Sequence, residues 1–151
     1  MKRFAVAARV TAAVLMLTLF GAAASAQKAP NANVQEIIIK SSLLTFNDAN
    51  VTNNYSVFHA KLSKPFSDKF PPDKLAETFK GFRDQHVDLD LIAAKAPIST
   101  EEPKVDDSGR LTLKGYFDTT PSRVNYNLTY IMSDGEWKLV GINVDLKKPD
   151  K

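Results

Sequence analysis

"RLTLKGYF", Arg110–Phe117, alternates Leu111, Leu113 and Phe117 with Thr112, Lys114 and Tyr116. A period of two puts the first set on one face of an extended strand and the second on the other. "VNYNLTYIM", Val124–Met132, repeats the pattern, with Val124, Tyr126, Leu128, Tyr130 and Met132 set against Asn125, Asn127 and Thr129. "EWKLVGINVDL", Glu136–Leu146, is rich in β-formers and apolar on both faces near its middle. Turn-forming residues separate these runs: "DDSG" at 106–109, "TTPS" at 119–122 and "SDG" at 133–135. The pattern predicts a meander of at least three antiparallel strands, with a fourth near "ISTEEPKV" at 98–105.

Upstream the period becomes helical. Asn33, with Glu36 three residues on, resembles a capping box, and Ile37, Ile38, Ile39, Leu43, Leu44 and Phe46 form a broad apolar face. "NDANVTNN" at 47–54 is expected to break that helix, because these residues favour turns and caps. A second helix is expected from Tyr55 to Ser63, ending before Pro65. A third is expected in "FPPDKLAETFKGFRDQ", 70–85, with Pro72 in its first turn and Leu75, Phe79 and Phe82 on one face. Helices followed by a sheet predict an α+β fold, N-terminal helices packed on a curved antiparallel sheet. Residues 33–147 read as a single domain, 27–32 as a flexible lead and 148–151 as a tail.

Residues 1–26 read as a secretory signal peptide. Lys2, Arg3 and Arg9 precede and flank the apolar run "VTAAVLMLTLFGAAA", and Ala24-Ser25-Ala26 supplies the small-residue cleavage site. The apolar core is shorter than the roughly 20 residues of a spanning helix, so no membrane span is expected after cleavage. The expected location is the bacterial periplasm or the exterior. The chain has no cysteine, which excludes both a disulfide framework and a cysteine-linked lipid anchor. The formal charge of +3 is carried by the leader, which has no acid. The rest of the chain is balanced, and without a basic patch nucleic-acid binding lacks its electrostatic basis.

The element order, the "LTLKGYF" strand and the closing "G-x-W-K-L" strand of Gly135, Trp137, Lys138 and Leu139 resemble the nuclear-transport-factor-2-like, or cystatin-like, cone. The resemblance covers most of residues 33–147 and is greatest to small secreted bacterial members. It implies helices seated in the hollow of the sheet. Members of that superfamily include isomerases, dehydratases, epoxide hydrolases and non-enzymatic binding or assembly domains, so the fold does not select the function. The superfamily is rich in sheet-to-sheet dimers. Together with the apolar residues on both faces of "KLVGI", this suggests a homodimer.

Candidate site residues are few. In "YSVFHAKL", Tyr55, Phe58, His59 and Leu62 fall at i, i+3, i+4 and i+7, which puts His59 on an apolar stripe. His59 and Tyr55, with Tyr116, Tyr126 and Tyr130, are the candidates to line the cone. A hydrogen-bonded core histidine is the commoner outcome, and no acid–base pair stands at a recognisable spacing, so no catalytic residue is assigned. "DQHVDLD" at 84–90 gathers Asp84, His86, Asp88 and Asp90, but alternate side chains of an extended segment would face solvent, and a second ligand cluster is missing. No metal or cofactor is expected. The leading expectation is a non-catalytic exported domain that binds a small apolar or amphipathic ligand, or a protein partner, through the cone or the sheet face. The alternative is a small isomerase- or dehydratase-like enzyme that pairs a cavity histidine or acid with a tyrosine.

Overall fold

A computed structural model of the chain describes residues 27–148. The expected signal peptide and the last three residues of the expected tail lie outside them. Among the described residues five helices, α1 (Ala32–Thr52), α2 (Ser56–Ala60), α3 (Lys64–Ser67), α4 (Pro72–Thr78) and α5 (Lys80–Asp84), precede a short 3-10 turn, Asp90–Ala94. Five strands follow: β1 (Ile98–Ser99), β2 (Lys104–Val105), β3 (Arg110–Phe117), β4 (Arg123–Ser133) and β5 (Glu136–Lys147). The named strands pair antiparallel: β1 and β2 share one edge of β3, β3 pairs with β4, and β4 with β5. The class is the α+β arrangement expected from the change of period.

The alternation in β3 and β4 is realised from Leu111 to Tyr130, whereas Met132, placed by the pattern on the same face, is 38% exposed near the hairpin end of β4. Leu111, Leu113, Phe117, Val124, Tyr126, Leu128 and Tyr130 are all buried on the face that meets the helices. Asp134 and Gly135, at φ 54° and 79°, form the two-residue hairpin between β4 and β5, where both central residues need positive φ. At Gly115 a side chain is excluded by close approach: a Cβ there would lie 2.2 Å from the Ile98 carbonyl oxygen and 2.6 Å from the Tyr126 hydroxyl. That contact lets β1 lie against β3.

β5 accounts for the apolar residues of "KLVGI" in a different way from a second buried face. Tyr130 pairs with Leu139 and Thr129 with Gly141, so Val140 is an extra residue in a β-bulge. The bulge returns Ile142 to the inner face beside Leu128. The outer face carries Lys114, Asn127 and Asn143 as direct cross-strand neighbours, with Tyr116, Asn125 and Asp145 in the next row.

The helices depart from expectation in three places. α1 is capped two residues early, by Asn31, whose Oδ1 accepts from the Val34 N–H at 3.0 Å. It also runs through "NDAN" to Thr52, because Asn47 and Asn50 are buried with hydrogen-bonded amides rather than turned out to solvent. Second, α2 ends at Ala60, and Pro65 sits in the first turn of α3 instead of closing α2, since a first turn needs no N–H from proline. Between them the chain docks on the sheet: Leu62 bridges Leu139, and the Ser63 N–H donates to the Leu139 carbonyl at 2.9 Å. Third, the expected helix over 70–85 is two helices, interrupted at Phe79.

Candidate functional site: a graded cleft beside helix α1

The space between helices and sheet is filled at one end of α1. Phe46 is fully buried and meets Phe79 and Phe82 edge-on, with ring centroids 4.7 and 5.3 Å apart, and Phe58 at 5.6 Å. Two polar clasps lie in and beside this cluster. Asn47 Nδ2 donates to Asp90 Oδ1 at 2.9 Å and to Asp88 Oδ1 at 3.3 Å, while its Oδ1 accepts from the Leu89 N–H at 2.9 Å. Each exposed aspartate thus turns one oxygen inward, where the alternation of "DQHVDLD" had suggested solvent; His86 is exposed, at φ 50°. In the second clasp Arg83 Nη1 donates to the Tyr55 hydroxyl at 3.0 Å, Tyr55 donates to Asn50 Oδ1, and Asn50 Nδ2 donates to the Phe46 carbonyl.

The expected site residues are distributed through the fold instead of gathered in a cavity. Tyr55 belongs to the second clasp; burial raises its pKa, against the opposing effect of Arg83. His59 is half-buried, its Nε2–H donating to the Ser67 carbonyl at 3.1 Å, so it ties α2 to α3 and faces neither a carboxylate nor Tyr55. Tyr116 lies on the outer face of the sheet, with the Arg123 guanidinium 4.1 Å over its ring; the strand alternation that buries Leu113 and Phe117 turns it away from the helices. Tyr126 is buried against Gly115, its pKa pushed up to about 12 by burial. Its hydroxyl makes no hydrogen bond of normal geometry within the described residues, although the Ser99 side chain offsets a little of the burial. Tyr130 is buried too, which raises its pKa strongly. Its hydroxyl donates to the Ile38 carbonyl at 3.1 Å, which leaves Ser42 as donor in the 3.0 Å contact between Ser42 Oγ and Tyr130.

At the other end of α1 the structure opens. A cleft of about 500 Å³ lies between α1, the end of α2 and the start of β5. Its helical wall is a stripe of Val34, Ile37, Ile38, Ser41, Ser42 and Thr45. The facing wall is Phe58, Ala60, Lys61 and Leu62, with Gly135, Glu136, Trp137, Lys138 and Leu139 from the hairpin and β5. Ile37 is 64% exposed, a large apolar side chain kept at the rim. Lys61 Nζ donates to Thr45 Oγ1 at 2.9 Å, and Lys138 Nζ stands 3.7 Å from Asp134 Oδ2.

None of the five expected residues lines this cleft; the nearest link is Tyr130, through Ser42. One signal for the cleft was present in the sequence. Three consecutive isoleucines on a helix turn about 100° at each step, so Ile37, Ile38 and Ile39 cannot all enter one core. Ile39 is the one that does. A shallower trough of about 320 Å³ lies across the sheet, lined by polar residues that include Lys114, Asn127 and Asn143. Among the described residues no helix is long and apolar enough to cross a membrane. The chain matches no protein-family model, no curated protein and no solved structure.

Proposed function

We propose that this chain is an exported, non-catalytic binding domain that holds a small apolar or amphipathic ligand in the cleft beside α1. One observation carries the reading: a cleft of about 500 Å³ whose walls are mostly apolar side chains, with a few hydroxyls and lysines among them. That size and mixture are typical of small-molecule sites, where apolar walls supply affinity and a few polar groups set orientation. The leader sequence supports export to the periplasm or beyond. The order of helices and strands is in keeping with a distant member of the nuclear-transport-factor-2-like superfamily.

The isomerase- or dehydratase-like alternative needs a base facing a substrate space. His59 is engaged with a backbone carbonyl, and of the residues that line the cleft the sole carboxylate, Glu136, is exposed at the hairpin.

The test uses a neutral apolar dye. Nile red should gain fluorescence with the mature protein, and Ile37→Asp should abolish the gain while leaving the melting temperature in place, because that side chain is exposed at the rim. Equal dye response from both proteins would remove the cleft as the binding site.

A further inference from the structure

The helical wall of the cleft is graded along its length. Val34, Ile37 and Ile38 are apolar; one turn on come Ser41 and Ser42, and another turn on Thr45. At 1.5 Å per residue this stripe runs about 16 Å, the reach of a medium-length acyl chain. Lys61 stands at the hydroxyl end, its ammonium fixed by Thr45 Oγ1 at 2.9 Å.

The charges around it are unequal. Lys138 is balanced by Asp134 at 3.7 Å, and Lys40, on the neighbouring face of α1, by Glu36 at 2.8 Å. Among the described residues Lys61 has no carboxylate at ion-pair distance. An ammonium with one neutral acceptor keeps donors free for a ligand. A cation beside hydroxyls at one end and bare aliphatic wall at the other is complementary to a molecule built the same way. We infer that the cleft takes a single-chain amphiphile with an anionic headgroup, a carboxylate of fatty-acid type, its head on Lys61 and its chain along Ile38 and Ile37 toward Val34. This rests on the cleft being the binding site proposed above.

Trp137, the single tryptophan of the chain, lines the same cleft and reports on it directly. Its emission is titrated with decanoate, 1-decanol and decyltrimethylammonium, each below its micellar or solubility limit. Decanoate should bind about tenfold more tightly than the other two, the factor expected of one charge-assisted hydrogen bond. Lys61→Met, which keeps the aliphatic stem, should remove that advantage and leave decanol binding unchanged, whereas Lys138→Met should preserve it. Equal binding of all three in the wild type, or a loss that follows Lys138 instead of Lys61, would overturn the headgroup assignment while the cleft reading stands. Failure of all three to bind, with Nile red also silent, would remove the cleft reading and this inference together. Binding to phosphatidylglycerol vesicles but not to decanoate would assign the cleft to a membrane surface and overturn the proposal.

Discussion

The two ends of helix α1 face different tasks with similar residue types. Around Phe46 the helix is enclosed: the ring is fully buried among three other phenylalanines, and Asn47 and Asn50 spend their amide hydrogen-bonding groups on neighbours. Around Ile37 the same helix is left open to a cleft, with a branched aliphatic side chain 64% exposed. Apolar residues at the closed end exclude water from a core; at the open end they line a space that solvent can enter. On the proposed reading of the cleft, stability and binding fall on separate stretches of one element, and substitutions at the two ends should have different consequences.

The largest effect is expected at Phe46. Phe46→Ala should cost about 3–5 kcal/mol, because the ring leaves a cavity among neighbours that cannot close on it. Trp137→Ala, a larger truncation at the half-buried cleft wall, should cost clearly less, since its ring gives up less burial. Urea unfolding of both proteins checks the order. Equal costs would mean that the open end bears as much of the core as the closed one.

Asn47→Ala should follow, at about 2–4 kcal/mol. It removes two hydrogen bonds to carboxylates and leaves the buried Leu89 N–H without its acceptor. Hydrogen exchange at Leu89 should accelerate more than exchange at Ser42 on the open end. Uniform acceleration along α1 would show that the clasp does not act locally.

The strands were legible because their evidence is local: each step of two repeats the same choice of face, and Asp134-Gly135 carries its own turn geometry. α1 was legible in its apolar face but not in its length. Asn47 looks like a helix breaker until Asp88 and Asp90 are known to lie beside it, and those partners stand 41 and 43 residues away in the chain. Pro65 carried the same ambiguity, since proline marks both the end of one helix and the first turn of the next. The bulge at Val140 made one inner face look like two, because a single added residue reverses the alternation. The cleft was the least legible feature. Ile37, Lys61 and Trp137 come from three elements, and no spacing in the sequence relates them.

Tyr130 stands at the boundary of the two ends, and its expected effect is the smallest. Tyr130→Phe removes a bond to the Ile38 carbonyl and one from Ser42, whose residue lines the cleft and whose hydroxyl can be hydrated from there. The cost near neutral pH should be about 1 kcal/mol. Its pH dependence sharpens the assignment. Burial raises the phenol pKa of Tyr130 above the ordinary value, as it does for Tyr126 and Tyr55. Below the unfolded value near 10 both states keep the proton, and the contribution of the neutral phenol is fully present. Above it the unfolded chain ionises first, so stability falls as pH rises toward the folded value, by about 1.4 kcal/mol per unit for each such phenol. The phenylalanine variant lacks one of these phenols. Its deficit against the wild type should therefore shrink above pH 10 and then reverse, while lysine deprotonation, common to both proteins, cancels in the difference. Urea midpoints of the two proteins measured across that range provide the check. A gap that stays constant with pH would mean that the Tyr130 hydroxyl ionises as freely in the fold as in the unfolded chain, and that water reaches it from the cleft.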